Sequence, residues 1–178
     1  MAAITNTPLM PAEEYIARFV DGDEKPVCEY IDGLLIPKPM GTKKHSQVQA
    51  NITKLIGNRY DETLNPLPEL TARLRETHFY VPDLAIEELS KPTKSRYPGP
   101  NDPVFLCVEI VSAPDRVGKR FGKCEEYHKW GVAYCWVIDP ERMVAWEYFS
   151  DDLEPRKVEQ ILTAGSIQLG LADVFRRA

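Results

Sequence analysis

Two acidic residues interrupt apolar stretches of the sequence and are its first candidates for chemistry. Glu109 stands within VFLCVEIV, residues 104–111, where every other residue is apolar. Asp83 stands within YVPDLAI, residues 80–86, and is the single acid of that stretch. An ionised carboxylate in a buried strand needs a cation, a metal ion or a proton, because its unpaired burial costs several kcal/mol or more.

A divalent metal ion is the partner that both acids could share. Two carboxylates that approach each other in a site of low dielectric constant repel, and a bound cation relieves the repulsion. Mg²⁺ prefers oxygen ligands, often takes one or two protein carboxylates and keeps water molecules for the rest. The sequence therefore predicts a Mg²⁺ site at Asp83 and Glu109, with Mn²⁺ as the alternative ion.

A basic stripe follows Glu109 on a helix predicted over residues 116–130. At helical spacing its members share one narrow strip of the helix surface, bordering an apolar face. Cations beside a scissile phosphate stabilise the charge that develops during displacement, and an amine can orient a metal-bound water. The stripe consists of Arg116, Arg120, Lys123 and Tyr127, and the apolar face of Val117, Phe121, Cys124 and His128.

The N-terminal half predicts the elements that would position Asp83. Residues 11–20 form an amphipathic helix, and the Asp-Gly pair at 32–33 is a strong β-hairpin signal. A longer helix follows over residues 42–60 with Thr42 as its N-cap. The predicted elements after it are a proline-rich turn at 65–70, strands at 69–76 and 77–88, and a long exposed loop at 90–103.

The C-terminal half predicts a β-α-β crossover around Glu109. The buried strand 104–111, the helix 116–130 and a second buried strand 133–139 supply its three parts. An antiparallel strand at 143–150, an edge strand at 157–165 and a last helical turn at 171–177 complete the chain. The fold class is therefore α/β, with a mixed central sheet flanked by helices on both faces, and sites in such sheets gather where strands end.

Composition limits the classes of function. A chain of 178 residues with 43% apolar residues fits one domain over 1–178. The net charge of −5 argues against a protein that coats nucleic acid non-specifically, although a local basic patch remains compatible with it. Neither an apolar stretch of bilayer length nor a signal peptide is visible, which predicts a cytoplasmic protein without a membrane partner. The spacing of the four cysteines predicts free thiols rather than zinc or disulfides.

The motifs in their order resemble a known family. CEYIDGLLI, a helix beginning near His45, VPDLAIE, VEIVSAP, a K-x-x-x-Y pair and YCWVIDPE look like the Uma-two family of restriction-endonuclease-like proteins, within the PD-(D/E)XK nuclease superfamily. The resemblance runs from about Glu29 to Tyr148. It implies the restriction-endonuclease-like fold and an endonuclease that makes a metal-dependent cut of DNA phosphodiester bonds. A homodimer is expected in addition, because two copies related by a two-fold axis are suited to cutting both strands of a duplex.

The resemblance also implies roles for individual residues. Asp83 matches the acid of the Pro-Asp element and Glu109 the acid of the E-x-K element, while Val111 stands where the superfamily usually has lysine. Lys123 matches the lysine that the family carries in the following helix. The remaining matches are the metal ligands Ile110, through its carbonyl, and Glu29, through water, and the site-proximal residues His45 and Tyr127. The basic stripe adds Arg116 and Arg120, which together with His45 and Tyr127 are the predicted substrate-binding residues.

Other interpretations of the same residues stay open. Glu109 could form a structural ion pair with Lys123 or Arg120 and bind no metal. Val111 in the lysine position favours a catalytically inactive nuclease fold that serves as a binding module associated with mobile elements. A hydrolase or transferase acting on a small phosphorylated molecule is a third class, but no glycine-rich phosphate loop follows any predicted strand.

Overall fold

The fold is a mixed α/β arrangement of three sheets and four helices, described for residues 9–112 and 117–178 by a computed structural model. The helices are α1 (Ala12–Tyr15), which continues as a π-helical turn (Ile16–Val20), α2 (Lys43–Arg59), α3 (Val117–Trp130) and α4 (Leu171–Val174). The strands are β1 (Cys28–Ile31), β2 (Leu34–Pro37), β3 (Leu64–Pro68), β4 (Ala72–Arg75), β5 (His78–Tyr80), β6 (Leu84–Glu88), β7 (Leu106–Ile110), β8 (Tyr134–Asp139), β9 (Val144–Phe149), β10 (Arg156–Val158), β11 (Ile161–Ala164) and β12 (Ile167–Gly170).

The largest sheet has six strands in the order β10-β9-β8-β7-β6-β3. Strands β7 and β8 are parallel and are joined through α3, while their outer neighbours β6 and β9 pair with them antiparallel. The predicted crossover and the predicted mixed central sheet are both confirmed. Every residue of β7 is buried, as expected for a strand covered on both faces.

Helices cover both faces of the six-stranded sheet. Alternate strand residues point to opposite faces, so each strand contributes to two cores. On one face Val48, Ile52 and Ile56 of α2 pack against Leu84, Ile86, Leu106, Val108 and Ile110. On the other face Cys124, Tyr127 and Trp130 of α3 pack against Ala85, Cys107, Val111, Cys135 and Val137. The second face also contains the polar residues described below.

A smaller sheet, β2-β1-β5-β4, lies beside the first and carries the predicted hairpin. Strands β1 and β2 pair antiparallel on either side of Asp32 and Gly33, whose φ angles are +48° and +89°. Positive φ at both central residues is what the favoured two-residue hairpin turn requires. The prediction of a hairpin at this Asp-Gly pair is therefore confirmed.

Gly33→Ala is expected to lower the free energy of unfolding by roughly 1 to 3 kcal/mol, because the left-handed conformation is strained for a residue with a side chain. An added Cβ would also lie 2.7 Å from the Cβ atom of Leu9. The matched control is Gly57→Ala, in the last turn of α2, where an added Cβ meets nothing within 4 Å. Urea denaturation should show destabilisation for the first variant only; equal stability would contradict the strain argument.

Three predicted elements differ from the structure. The proline-rich stretch 65–70 was expected to be a turn, but most of it forms β3, an edge strand, where proline is tolerated because one side needs no ladder donors. The predicted strand 77–88 is two strands, β5 and β6, which belong to different sheets. The predicted edge strand 157–165 is divided between β10 and β11, and only β10 pairs with the large sheet.

The remaining helices agree with the sequence. Helix α2 begins after Thr42, whose Oγ1 accepts a hydrogen bond from the backbone N–H of His45 at 3.2 Å, as the predicted cap requires.

The four cysteines are free and buried, as the sequence predicts. None of the helices in residues 9–112 and 117–178 combines the length and the apolar character needed to cross a bilayer.

Candidate active site

Asp83 occupies the three-residue connection, 81–83, by which the chain passes from the small sheet to the large one. The last paired residues of β6 and β7 at this end are Leu84 and Val108. Beyond that pair, the Asp83 carboxylate replaces a backbone partner: its Oδ2 accepts a hydrogen bond from the backbone N–H of Ile110 at 2.6 Å. Asp83 is consequently 1% exposed and fixed at the end of two neighbouring strands.

Glu109 lies opposite Asp83 in the same pair of strands. The register that pairs Leu84 with Val108, continued by one residue, places Asp83 across from Glu109. Glu109 points to the α3 face, since its neighbours at two-residue spacing, Cys107 and Val111, belong to the core under α3. The two acids thus lie on adjacent strands at the same end of the sheet.

Three side chains of α3 satisfy the Glu109 carboxylate, which is 0% exposed. Arg120 Nη1 lies 2.6 Å from Glu109 Oε2. On the other oxygen, Tyr127 donates its hydroxyl hydrogen at 2.6 Å and Lys123 Nζ lies 2.5 Å away. Burial, followed by the negative charge of Glu109, raises the pKa of Tyr127 well above its usual value, so the phenol remains a hydrogen-bond donor.

Lys123 joins Glu109 to the small sheet. Its Nζ lies 2.8 Å from Oε1 of Glu29, a β1 residue that also accepts the backbone N–H of Val81 at 3.0 Å. Burial favours the neutral amine, but the charges of Glu109 and Glu29 outweigh it and raise the pKa of Lys123. Lys123 is therefore protonated at neutral pH and acts as a fixed positive charge rather than as a proton acceptor.

Asp83 has two basic side chains of its own as partners. Lys38 Nζ lies 3.0 Å from Asp83 Oδ1, and His45 Nε2 lies 3.4 Å from Oδ2. Burial would raise the pKa of Asp83, but the hydrogen bond from His45 and the charge of Lys38 prevail and hold it well below its usual value. The positive charge of Arg120, which pairs with Glu109, also favours the ionised form of Asp83 and lowers its pKa.

Acid titration is expected to expose the role of this ionised carboxylate. Because its pKa is lower in the folded chain than the ordinary 3.8, Asp83 stabilises the fold above pH 3.8 and loses that contribution as the pH falls through the folded value. The unfolding free energy should fall less steeply below about pH 4 in Asp83→Asn than in the wild type. Equal slopes in denaturation curves from pH 2 to 6 would contradict this pKa shift.

The carbonyl of Ile110 is directed towards Asp83. The backbone N–H of Val111 donates to the carbonyl of Ile138 on β8 at 2.8 Å. In a planar trans peptide the C=O of one residue points opposite to the N–H of the next. The Ile110 carbonyl therefore points away from β8 and towards the β6 side, where the Asp83 side chain lies.

The donor set fits a small, hard cation with few protein ligands. Two carboxylates and one backbone carbonyl are oxygen donors of the kind that Mg²⁺ takes, with water completing its coordination. Across residues 9–112 and 117–178, no group of three or more His, Cys, Asp or Glu side chains forms a ready-made metal cluster. The set is thus suited to Mg²⁺ or Mn²⁺ and not to an ion that demands several nitrogen or sulfur ligands.

The basic stripe is more central than its sequence pattern indicated. Arg120, Lys123 and Tyr127 are 5%, 7% and 0% exposed, whereas Val117 and Phe121, expected on the buried face, are only half-buried. The polar residues are buried because Glu109 and Glu29 receive them. Of the predicted site residues, Asp83, Glu109, Ile110, Glu29, Lys123, Arg120, Tyr127 and His45 are brought together, and Arg116 lies outside the described residues.

The sequence analysis does not identify three residues that contact Asp83 or its partners in the structure, namely Lys38, Gln49 and Glu69. Lys38 follows β2, and its Nζ contacts both Asp83 and Glu69. Gln49 donates to the backbone carbonyl of Asp83 at 2.7 Å and to Glu69 Oε1 at 3.1 Å. Gln49 stands four residues after His45 on α2, and this spacing places both on one helix face. Lys38 and Glu69 carry no comparable local signal.

Comparisons with known proteins agree with this architecture. A crystal structure described as a putative nuclease belonging to DUF820, from Anabaena variabilis, superposes with a TM-score of 0.74 at 24% identity, covering 90% of this chain and 96% of that one. A cryoEM structure of a DrdV-DNA complex has a TM-score of 0.44 at 13% identity and covers 65% of this chain and 10% of that one, which is too weak a likeness to support an argument. A comparison with curated proteins gives no match.

The family assignment rests on the sequence comparison. A family model with the description "Putative restriction endonuclease" matches residues 12–174, which include every site residue that the structure describes. The motifs from Glu29 to Tyr148 had indicated the same family, and that prediction is confirmed. The chain belongs to the Uma2 family of restriction-endonuclease-like proteins.

Proposed function

We propose that this chain is a divalent-metal-dependent endonuclease that hydrolyses phosphodiester bonds of DNA. The observation that carries the proposal is the meeting of Asp83 and Glu109 at the same end of adjacent strands, inside a chain of the Uma2 family. Two buried carboxylates opposite each other are costly unless cations compensate them. The two carboxylates are accompanied by three basic side chains, those of Lys38, Arg120 and Lys123. Such a site is suited to binding a metal ion and a phosphate together.

Asp83, Glu109 and the carbonyl of Ile110 would hold Mg²⁺ or Mn²⁺, and Glu29 would contribute through a water molecule. When bound, the ion supplies an activated water and stabilises negative charge on phosphate oxygens. Taking the metal requires Glu109 to share an oxygen now held by Arg120 or by Lys123 and Tyr127. The side chains released from that oxygen would then be free to interact with the negative charge of the substrate phosphate.

Lys123 serves as the amine of this site in place of the missing E-x-K lysine. It reaches Glu109 from α3, while Val111 stands two residues after Glu109 in the strand. Because Lys123 is protonated, its contribution is electrostatic: it stabilises the negative charge of the transition state and fixes Glu109 and Glu29. Arg120, Tyr127 and His45 hold the two metal ligands in place, and Arg120 also supplies positive charge for the substrate phosphate.

A non-catalytic binding module is the second candidate, and one observation favours it. Both oxygens of Glu109 are already satisfied by side chains of α3, so the carboxylate is stable without any metal. Replacing such contacts by metal ligation costs the ion pairs that compensate the buried charge. In this function the fold and its ion-pair network persist, and the protein binds a nucleic acid without cutting it.

Plasmid nicking separates the two functions. Purified protein with Mg²⁺ or Mn²⁺ is expected to convert supercoiled plasmid to the open-circular form, and excess EDTA is expected to stop the conversion. Electrophoretic mobility shift with the same DNA measures binding independently of cleavage. Binding without nicking in either metal would reject the endonuclease and support the binding module.

A homodimer is the assembly that we propose for cleavage of both strands. Two copies related by a two-fold axis would present two identical sites to the two antiparallel strands of a duplex. Analytical ultracentrifugation of the protein with and without duplex DNA measures the assembly. Linearisation of plasmid by a protein that stays monomeric in both conditions would reject this assembly.

A further inference from the structure

The ammonium of Lys38 contacts the Asp83 carboxylate, where a metal ion would also bind. The side chain of Lys38 is 10% exposed, and its ammonium is surrounded by three oxygen atoms, one from Glu69 and two from the connection 81–83. Glu69 Oε2 lies at 2.6 Å, the carbonyl of Val81 at 2.8 Å and Asp83 Oδ1 at 3.0 Å from Nζ. We call these three oxygen atoms the oxygen cradle of Lys38. Asp83 belongs both to this cradle and to the proposed metal site.

The two oxygens of Asp83 are not equivalent. Oδ2 accepts the N–H of Ile110 at 2.6 Å and faces His45 Nε2 at 3.4 Å. Oδ1 faces Lys38. These backbone and imidazole contacts fix the orientation of the carboxylate without Lys38, so Oδ1 is the oxygen through which a metal ion would enter, and the ammonium occupies it.

Glu69 already pairs with the ammonium at 2.6 Å and is the partner that Lys38 can keep after it leaves Asp83. Its side chain is 44% exposed, whereas that of Asp83 is 2% exposed, so Glu69 lies on the outer side of the cradle. Gln49 holds Glu69 from the other side, through Oε1 at 3.1 Å. Glu69 also has a φ angle of +53°, a strained conformation for a residue with a side chain, which is a frequent feature of functional sites.

We propose that Lys38 is a resident cation that competes with the divalent metal for Asp83, and that on metal binding it leaves Asp83 and stays paired with Glu69. The inference rests on the metal site of the proposed function and adds a residue that controls its affinity. In the metal-free chain Lys38 neutralises Asp83 and keeps the buried acids compatible with folding. On metal binding the positive charge of Lys38 stays near the site, paired with Glu69, beside the phosphate that would be cut.

Isothermal titration calorimetry with Mg²⁺ or Mn²⁺ alone tests this competition without a nuclease assay. Lys38→Met keeps the length of the side chain and removes its charge, so it is expected to bind the metal about tenfold more tightly than the wild type, as the loss of one charged hydrogen bond implies. Lys44→Met is the matched control: Lys44 pairs with Glu141 at 3.0 Å and is 41% exposed, so its loss should change the affinity by less than about threefold.

A second variant, which is expected to weaken metal binding, ensures that the test does not depend on Lys38→Met alone. Glu69→Gln removes the outer partner of Lys38, which ties the ammonium more closely to Asp83 and should weaken metal binding by about threefold or more. In the Lys38→Met background the same Glu69→Gln change should have a smaller effect, because the two residues act through one contact. Thermal melts establish that each variant is folded.

The outcomes distinguish this inference from the proposed function. Metal binding that is equal in wild type and Lys38→Met, or weaker in the variant, overturns the competition while the metal site itself stands. No metal heat in either protein overturns the competition and the metal site together. A wild type without measurable binding and a Lys38→Met variant that binds supports the competition, as does tighter binding in the variant.

Discussion

Asp83→Asn is expected to remove metal-dependent plasmid nicking, with a loss on the order of 100- to 1,000-fold or more, the scale seen when one preorganised charge-stabilising group is lost. The variant retains the shape of the side chain, and its amide oxygen can still accept the N–H of Ile110. What disappears is the charge that would bind the metal. The loss should therefore appear in nicking with both Mg²⁺ and Mn²⁺ while the fold persists.

The control for this experiment is Glu147→Gln. Glu147 is also a buried acid of the six-stranded sheet, 6% exposed, and its carboxylate pairs with Arg156 and accepts hydrogen bonds from Thr163. It shares the sheet face of Ala145, which packs in the core opposite to α3, so it lies on the other face from Glu109. Nicking should survive in Glu147→Gln. If Asp83→Asn nicks as fast as this control, Asp83 is not a metal ligand.

Glu109→Gln is expected to lower the free energy of unfolding by roughly 3 to 5 kcal/mol, because it breaks buried ion pairs by removing the carboxylate that Arg120 and Lys123 share. Arg120 loses the carboxylate at 2.6 Å, and Lys123 retains only Glu29. The amide that replaces the carboxylate introduces two N–H donors beside two cations. Urea denaturation followed by circular dichroism measures the change.

A double variant identifies the cause of that destabilisation. In Glu109→Gln with Lys123→Met, one of the two cations that lost this carboxylate is gone, so the double variant should be more stable than the sum of the two single changes implies. Glu147→Gln again serves as a comparison, since its partner Arg156 is 57% exposed and can be solvated when the pair is broken. Additive free energies in the double variant would show that Lys123 and Glu109 do not stabilise each other.

The parts of the fold that the sequence predicted are those that depend on neighbouring residues. The Asp32-Gly33 turn needs positive φ at two adjacent positions, and the start of α2 needs a hydroxyl three residues before a backbone donor. The crossover around Glu109 follows from two apolar strands joined by one helix. Each of these signals lies within a short window of the chain.

The parts that were wrong or missed depend on partners far away in the sequence. Residues 65–68 read as a turn because of their prolines, and only the edge position beside β6 makes them a strand. Lys38 reaches Asp83 across 45 positions of the chain, and nothing in its local sequence IPKP indicates an ion pair. The stripe on α3 was predicted, but its burial follows from Glu29, which arrives from a different sheet.

The connection 81–83 between β5 and β6 has a consequence for how this chain tolerates insertions. Side chains alternate along an extended backbone, so one added residue before Asp83 would turn its carboxylate away from the amide of Ile110 and towards the opposite face. Surface turns tolerate changes of length readily. A change of length in the connection 81–83 would instead displace the Asp83 carboxylate from the candidate active site.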